Sequence, residues 1–334
     1  MSLRVVALLL AAAAGADQAP NRWTRATRDT GLPGNEIQNL KQDDKGTVWI
    51  CTLSGLATFS GGRFSVLDEQ GWYWDVLEIG PDKYWLGTSD GAVLLDGGKK
   101  RNTLRGNTVA PLVRYDSKTV WAIAKNLRTE KNALVQTSGE EWEVVTKFKD
   151  ENVTFVTNTP SGKLWLSVEG NGLYEIDPKQ EVEKAVKHLE GKNVTAVFED
   201  SRKRLWAGTW GQGVFVYDAG KWTAHLLKEK SAIFAIREDG KGNIWVATSA
   251  NGLWRREGDK WMNDLKEEGG INMMDCTSDG RIWISSGDVG GLRYWDGAKW
   301  VVALDIPLPI RCILETRDKK LWAGGVLDGV YIRN

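Results

Sequence analysis

Residues that bind metals or form cross-links are scarce in this sequence. Its 334 residues include three cysteines and two histidines, without the short Cys/His spacing of a zinc site. We therefore expect no metal site and no cofactor. The odd number of cysteines leaves at least one unpaired. We expect Cys51, Cys276 and Cys312 to be buried, small apolar side chains, with one disulfide as the alternative.

Net charge is absent as well. Lys plus Arg and Asp plus Glu both number 44, so no basic field exists that would attract nucleic acid or an anionic membrane surface. We expect neither as a partner. Helical periodicity is also scarce. The stretch "EVEKAVKHLE" at 181–190 is ambiguous, and we interpret it as an irregular outer strand and linker.

Long apolar runs are missing beyond the N-terminus. That terminus reads "MSLRVVALLLAAAAGADQAP", with Arg4 followed by ten apolar residues and then by small residues suited to cleavage before Asp17. This pattern predicts a secretory signal peptide at 1–16, because ten apolar residues are too few to span a bilayer. We expect the mature domain, 17–334, to be periplasmic or secreted and not inserted in a membrane.

Tryptophan, in contrast, is abundant, and the excess follows a repeat. Of 18 tryptophans, eight occur in segments such as "TVWICT", "RLWAGT" and "NIWVAT", between a strand-forming residue and small residues. These are Trp49, Trp85, Trp121, Trp165, Trp206, Trp245, Trp283 and Trp322, spaced 36 to 44 residues apart. We expect each ring to pack between adjacent repeats as core, since burying a tryptophan removes about 150–250 Å² from water.

Other positions recur around each tryptophan. Two apolar residues three apart precede it, such as Ile37 and Leu40, and the second lies nine residues before the tryptophan. Turn segments such as "QDDKG" and "EDGKG" follow, and a glycine with an apolar strand, as in "GVFVY", comes after the tryptophan. Each unit of about 40 residues therefore reads as four short strands, the content of one β-propeller blade.

The two ends of the sequence predict how the ring closes. The last unit supplies three strands, and Trp23 in "NRWTRAT" resembles the aromatic residue of a fourth strand. We therefore predict an all-β fold: a single eight-bladed β-propeller of four-stranded antiparallel blades, in which the N-terminal strand completes the last blade. Seven blades plus a stray strand pair is the alternative, because the third unit matches the pattern least well.

The units resemble a known repeat. The first reads "GLPGNEIQNLKQDDKGTVWICTLSGLATFSGGRF", and the fifth and sixth contain "RLWAGTWGQGVFVYDAGKW" and "NIWVATSANGLWRREGDKW". They are similar to the two-component regulator propeller repeat, and the similarity covers 22–334. The resemblance implies a periplasmic sensing propeller, often attached to a transmembrane helix and a histidine kinase. The sequence ends at Asn334 without such regions, so we expect a stand-alone propeller.

Catalytic motifs are lacking. His188 and His225 fall in or beside expected outer strands, where a histidine is usually a surface residue, and no Gly-x-Ser-x-Gly turn occurs. The repeated aspartates of "QDDKG", "EDGKG" and "SDGRIW" are predicted to bond their own turns and not calcium. We therefore predict a non-catalytic binding propeller. The alternatives are a lyase of the streptogramin-inactivating kind or a hydrolase at the same face, and a protein-interaction scaffold.

Residues outside the repeat pattern cluster on one expected face, formed by the loops between blades and those between second and third strands. They are Trp72, Tyr73, Asn126, Arg128, Glu169, Asn171, Trp210, Gln212, Asp288 and Asp328. Aromatic plates among polar groups suit a carbohydrate, a peptide or a protein partner. Ordinary loop packing is the alternative for each residue. Within "GWYWD" at 71–75, Trp74 is expected in the core, so Trp72 and Tyr73 are left without a role in folding.

Overall fold

Eight blades make up the molecule. A computed structural model describes residues 23–225, 230–265, 270–287 and 290–333, and the predicted signal peptide at 1–16 lies outside them. These residues form eight four-stranded sheets in which consecutive strands pair antiparallel. The predicted eight-bladed propeller is confirmed, and the seven-bladed alternative is wrong. In the described residues no helix has the length and apolar character needed to cross a membrane.

The strands of the first four blades follow in chain order. Blade 1 contains β2 (Ile37–Gln42), β3 (Val48–Thr52), β4 (Gly55–Ser60) and β5 (Arg63–Asp68). Blade 2 contains β6 (Tyr73–Gly80), β7 (Lys83–Thr88), β8 (Gly91–Asp96) and β9 (Lys99–Thr103). Blade 3 contains β10 (Asn107–Arg114), β11 (Val120–Asn126), β12 (Asn132–Thr137) and β13 (Glu143–Val144). Blade 4 contains β14 (Val153–Asn158), β15 (Leu164–Val168), β16 (Gly172–Ile176) and β17 (Val186–His188).

The remaining blades repeat this order until the last. Blade 5 contains β18 (Val194–Glu199), β19 (Leu205–Thr209), β20 (Val214–Asp218) and β21 (Lys221–His225). Blade 6 contains β22 (Ile233–Glu238), β23 (Ile244–Thr248), β24 (Leu253–Glu257) and β25 (Lys260–Leu265). Blade 7 contains β26 (Ile271–Cys276), β27 (Ile282–Ser286), β28 (Leu292–Trp295) and β29 (Trp300–Leu304). Blade 8 contains β30 (Ile310–Glu315), β31 (Leu321–Gly325), β32 (Val330–Arg333) and β1 (Trp23–Ala26).

Short 3₁₀ turns lie at Arg28–Thr30, Thr146–Phe148 and Val182–Lys184. The last of these and β17 together cover most of 181–190, as the interpretation of that segment as an outer strand and linker predicts.

The N-terminal strand closes the ring. Trp23 lies opposite Arg333 in the antiparallel register of β1 and β32. The indole of Trp23 donates a 2.7 Å hydrogen bond to the carbonyl of Ala303 in blade 7, and Arg25 forms an ion pair with Asp328. The predicted closure is confirmed, and it covers what would otherwise be the free edge of the eighth sheet.

The repeat tryptophans form the seams between blades. Trp206 of blade 5 is fully buried in a cluster with Ile233 and Ile236 of blade 6, and Trp49, Trp245 and Trp322 lie in the same way against blades 2, 7 and 1. The small residue two positions after the tryptophan makes room for the next blade. A Cβ added at Gly208 would lie 2.4 Å from Ile233 Cγ2, well inside contact distance. The prediction of tryptophan core between repeats is confirmed.

The repeated aspartates organise the turns after the first strands. Asp200 Oδ1 accepts hydrogen bonds from the backbone N–H groups of Arg202 and Arg204, at 3.0 and 2.8 Å. Its Oδ2 accepts a 2.9 Å bond from the indole of Trp206, and Asp43 and Asp239 bond Trp49 and Trp245 in the same way. Each aspartate therefore ties its turn to the buried tryptophan, which extends its predicted role in the turn.

Carboxylates and an amide also link neighbouring blades at these turns. Glu238 of blade 6 accepts bonds from the backbone and hydroxyl of Ser201 in blade 5, at 2.7 and 2.8 Å. Gln42 of blade 1 accepts a 2.9 Å bond from the backbone N–H of Arg317 in blade 8, across the seam where the ring closes. Polar contacts thus reinforce the apolar seams at the end of the ring formed by these turns.

Two expectations about single residue types need correction. The three cysteines are unpaired, but Cys51 alone of them is fully buried, while Cys276 and Cys312 are partly exposed. Burial raises the pKa of Cys312 to about 12 and that of Cys276 to about 11.

His188 is not a surface residue. Its Nδ1 accepts a 3.1 Å hydrogen bond from the indole of Trp222, and its Nε2 lies 3.1 Å from a carboxylate oxygen of Glu175.

Candidate functional site

The first strand of every blade lines a central channel. The strands β2, β6, β10, β14, β18, β22, β26 and β30 each contact the next, and β30 contacts β2, so they form a closed ring. Each pairs with the second strand of its own blade along one edge. The other edge faces the axis of the ring, so exposed side chains on these strands point toward the channel.

A β-bulge interrupts each of these strands at the same place. In β2, Ile37 pairs with Thr52 and Asn39 pairs with Cys51, so Gln38 has no partner in the register. The same shift follows the first buried apolar residue in all eight blades, and in β10 it spans two residues. A bulge re-aims the side chain of the extra residue, here out of the blade core.

We call these eight positions the bulge ring. In blade order they are Gln38, Trp74, Ala110 with Pro111, Thr154, Thr195, Phe234, Asn272 and Arg311. Their side chains range from alanine and threonine to tryptophan and arginine, although the backbone around them repeats. The fold therefore requires the bulge but leaves its side chain free to vary, which is the pattern of a recognition surface.

The bulge ring is asymmetric. Its aromatic residues, Trp74 and Phe234, belong to blades 2 and 6 and therefore stand opposite each other in a ring of eight. The arc of blades 7, 8 and 1 carries Asn272, Arg311 and Gln38, and the opposite arc carries small or hydroxyl side chains. One half of the channel wall is therefore rich in hydrogen-bond donors and carries a positive charge.

The polar groups of the donor-rich arc are available to a ligand. Asn272 and Arg311 are exposed, and neither side chain makes a hydrogen bond or ion pair with any residue in the described ranges. On the other arc, Thr195 directs its hydroxyl to the carbonyl of Ile233 in the next blade, at 2.6 Å. The hydroxyl of Thr195 therefore contributes to the fold, whereas the amide and guanidinium groups do not.

Two exposed tryptophans lie at the rim of the channel on the loop face. In each blade the backbone N–H just after the second strand bonds the carbonyl just before the first, as between Ser89 and Trp72, and between Trp210 and Asn193. Trp72 and Trp210 therefore occupy the same rim, and they are 51% and 67% exposed. Trp72 packs edge-to-face on Trp74, with ring centroids 6.4 Å apart. Trp210 forms a backbone bridge with Ala232, two residues before Phe234, which is 52% exposed.

The expectation for "GWYWD" is wrong by one residue. Tyr73, not Trp74, occupies the core position equivalent to Ile37: it pairs with Thr88 and is 4% exposed. Its hydroxyl donates a 2.8 Å hydrogen bond to Asp68. Tyr73 is therefore a core residue and offers no exposed ring, whereas Trp74 is the half-buried residue at the bulge. Trp72 remains exposed as expected.

Several other predicted site residues direct their polar groups to neighbouring residues of the protein. Asn126 Oδ1 accepts 3.0 Å bonds from the backbone of Arg128 and Thr129. Asn171 donates a 2.9 Å bond to Glu151. Two carboxylates behave similarly, since Glu169 accepts a bond from Asn152, and Asp328 accepts bonds from Arg25 and Tyr331.

The remaining predicted residues are less constrained. Arg128 and Gln212 are exposed, and Asp288 lies outside the described residues. A contact of any of these loop residues with a ligand stays a prediction. In the ranges that the structure describes, no group of His, Cys, Asp and Glu could hold a metal ion.

Phe234, Asn272 and Arg311 were not among the predicted site residues. Each follows directly the first member of the recurrent apolar pair, at Ile233, Ile271 and Ile310. A comparison of that single position across the eight units would have shown residues as different as Trp, Thr and Arg within an otherwise regular pattern. That irregularity was the available signal.

Comparison with known proteins agrees with this architecture. Residues 31–54, 188–211 and 228–250 match the family model described as the two component regulator propeller, which confirms the predicted resemblance of the repeats. A search of curated proteins finds no match to the sequence.

Solved structures share the fold at low sequence identity. The extracellular domain of the putative one component system BT4673 from B. thetaiotaomicron is 15% identical with a TM-score of 0.56, over 92% of this chain and 51% of that chain. The present chain thus spans about half of that solved chain. A catalytically inactive virginiamycin B lyase from Staphylococcus aureus, solved with quinupristin, is 12% identical with a TM-score of 0.59, over 93% and 98% of the two chains. YCF48 bound to D1 peptide is 14% identical with a TM-score of 0.53, over 77% and 91%. These likenesses show the fold alone.

Proposed function

We propose that this propeller of two-component regulator repeats is an exported binding module that holds a carbohydrate or peptide ligand at the mouth of its channel without transforming it. The bulge ring is the observation that carries the proposal. Its eight backbone positions are equivalent, yet their side chains differ in size, polarity and charge. Positions whose side chains vary within a regular fold are available for recognition. The bulge ring also lies beside exposed aromatic rings.

The chemistry of the bulge ring favours binding over catalysis. Its side chains are aromatic, amide, hydroxyl, guanidinium and small apolar groups, none of which titrates near neutral pH. A general acid or base would need such a group within reach of the substrate. The two histidines lie in the fourth strands β17 and β21, far from the channel edge of their blades. A lyase or hydrolase therefore has less support than a binding module.

Related observations support export and a sensing role. The N-terminal sequence has the features of a signal peptide, and the matched repeats are those of two-component regulators. The similar BT4673 structure is described as an extracellular domain. We infer that the propeller works outside the cytoplasm and presents its bound ligand to a separate signalling or polysaccharide-processing partner.

The test is a ligand screen with aromatic variants. Purified protein would be applied to glycan and peptide arrays, together with Trp72→Ala, Trp210→Ala and Phe234→Ala. We expect at least one ligand class to bind the wild type and to lose most of its signal with these variants. Val302→Ala is the matched control, because Val302 is an exposed apolar residue on an outer strand, β29.

Two outcomes would overturn this function. Binding that is unchanged in all three aromatic variants, with melting temperatures equal to the wild type, would place the ligand elsewhere. Turnover of a bound ligand that is lost on removal of one carboxylate would replace the binding module by an enzyme.

A further inference from the structure

We propose that the ligand at the channel mouth is an acidic oligosaccharide whose carboxylate is bound by Arg311. This inference rests on the proposed function and names the ligand class for the same site. It starts from charge. The bulge ring contains one cation, Arg311, and no carboxylate. Because no described residue forms an ion pair with Arg311, its charge is left for solvent or for an anionic ligand.

Other arginines of the same seam are neutralised within the protein. Arg25 pairs with Asp328 near the rim, and Arg317 pairs with Asp44 at 3.1 Å at the opposite end of the ring. The guanidinium of Arg311 differs from them in position as well as in pairing, since it lies on the channel edge of blade 8. A planar guanidinium in that position matches a carboxylate, which it can bind through two parallel hydrogen bonds.

The neighbours of Arg311 in the ring extend its chemistry. Asn272 of blade 7 and Gln38 of blade 1 flank it, and each amide offers donors and an acceptor. The amide of Asn272 has no partner among the described residues, and that of Gln38 lies 3.5 Å from the carbonyl of Glu36. The two amides can hydrogen-bond hydroxyl groups of a ligand whose carboxylate is bound by the guanidinium between them. A uronic acid carries hydroxyl groups and a carboxylate on one sugar ring.

The aromatic rings favour a sugar over a peptide. Trp72, Trp210 and Phe234 each expose half or more of their surface, so part of each ring is open to a ligand. Peptide anchors are typically side chains that fill enclosed, desolvated pockets. Among the described residues, a 300 Å³ cavity bordered by Lys41, Glu78 and Arg114 lies at the seam of blades 1 to 3, at the end of the ring opposite the rim. Sugar rings instead stack their C–H faces on open aromatic plates, without a pocket.

The opposed aromatic positions argue for more than one sugar. Trp74 and Phe234 are four blades apart, and the donor-rich arc lies between them. A ligand that contacts Arg311 and either aromatic pole must follow the channel wall across at least two blades. A chain of several sugar units meets this requirement better than a monosaccharide.

Matched ligands and variants test the proposal by isothermal titration calorimetry. The probes are trigalacturonic acid, its fully methyl-esterified form, a neutral galactose trimer, a hyaluronan tetrasaccharide and a peptide of alternating Asp and Ser. We expect an acidic oligosaccharide to bind and its uncharged counterpart to bind roughly 10- to 100-fold more weakly, as expected for loss of a hydrogen-bonded charge. Affinity for the acidic form should fall with added salt.

The variants are Arg311→Ala, Arg311→Lys and Asn272→Ala. Arg311→Ala should reduce affinity for the acidic oligosaccharide to that of the uncharged form, and Arg311→Lys should retain part of it. Arg202→Ala is the control, because Arg202 is exposed in a turn at the opposite end of the ring. Equal melting temperatures would show that the variants are folded.

The outcomes separate this proposal from the proposed function. Binding of neutral sugars that depends on Trp72, Trp210 and Phe234 but not on Arg311 would overturn the acidic ligand and leave the binding module intact. Tighter binding of the acidic peptide than of any oligosaccharide would also overturn it. Binding of no probe, or binding that no channel variant alters, would overturn both.

Discussion

Trp206 and Asp200 are joined by a 2.9 Å hydrogen bond from the indole Nε1 to the carboxylate Oδ2, and both side chains are buried. The same carboxylate accepts a 2.7 Å bond from the guanidinium of Arg204. Trp206 therefore stabilises the seam between blades 5 and 6 in two ways: its indole packs against apolar residues, and its N–H bonds a buried carboxylate. Blade 7 achieves the same geometry with a neutral acceptor, since Trp283 bonds the hydroxyl of Thr277 at 2.9 Å.

Asp200→Ala should destabilise the protein by about 2–4 kcal/mol, because the indole and the guanidinium lose a buried acceptor. Asp200→Thr should cost less, since Thr277 shows that a hydroxyl satisfies the tryptophan in this position. Urea unfolding followed by tryptophan fluorescence would measure both. Equal losses for the two variants would show that the indole bond contributes little to stability.

Acid should weaken the seams. Burial alone would raise the pKa of Asp200, but hydrogen bonds from Trp206 and Arg204 outweigh it, so that its pKa is lowered in the folded protein. The pKa of Asp43 is lowered despite burial by the bonds from Trp49, Thr47 and Tyr84. Groups of this kind add stability above their unfolded pKa, near 3.9, and the contribution disappears as the pH falls through the lower folded value.

The melting temperature should therefore fall as the pH is lowered from about 4 toward 2. An Asp200→Asn variant should melt lower than the wild type at neutral pH but lose less on acidification, because its amide does not titrate. Differential scanning calorimetry between pH 2 and 7 would compare the two. Parallel curves for the wild type and the variant would contradict the assignment of acid sensitivity to Asp200.

The register of the second blade can be tested by truncating adjacent aromatic residues. Tyr73→Ala should cost about 3–5 kcal/mol, the range for a buried aromatic ring, because Tyr73 lies in the core with Val76. Trp72→Ala should change stability by less than about 0.5 kcal/mol, since its ring is half exposed at the rim. Chemical denaturation of both variants is the measurement, and the reverse order would restore the assignment of Tyr73 to the loop.

Gly208→Ala should destabilise by roughly 1–3 kcal/mol, as overpacking of a core does. The added Cβ would lie 2.4 Å from Ile233 Cγ2 and 2.6 Å from its Cβ. Gly139→Ala is the matched control, because a Cβ there meets no atom within 4 Å. A melting temperature for Gly208→Ala equal to that of the control would show that blade 6 can shift to accept the methyl group.

The sequence was sufficient to predict the blades and their number, because both rest on a pattern repeated eight times, and the closure, because the three strands of the last unit leave a place for the strand of Trp23. The register of the second blade was predicted wrongly, because two pairs there, Tyr73 with Val76 and Trp74 with Leu77, share the spacing of three residues. Val76 lies nine residues before Trp85, as in the other units, so the pattern favoured the pair that the structure contains. The prediction instead placed Trp74 in the position of Ile37, because it lies three residues before Leu77.

The variable position after each first apolar residue was a signal in the sequence, but the bulge conformation at that position was not predictable for a physical reason. Strand alternation places every second side chain on the same face, and a bulge breaks that alternation without leaving a mark in composition. The loops show the same limit. The use of Asn126 and Asp328 within their own surroundings is a matter of geometry, and a sequence cannot show which polar groups are already paired.

The bulges also separate what this scaffold must keep from what it can exchange. The tryptophan seams, the aspartate turns and the paired strands hold the ring, and none of them depends on the side chains of Gln38, Asn272 or Arg311. Single substitutions at such positions can alter selectivity while the rest of the molecule is unchanged. The propeller thus behaves as a fixed frame that carries exchangeable side chains at positions such as Gln38, Asn272 and Arg311, where ligand preference can change one blade at a time.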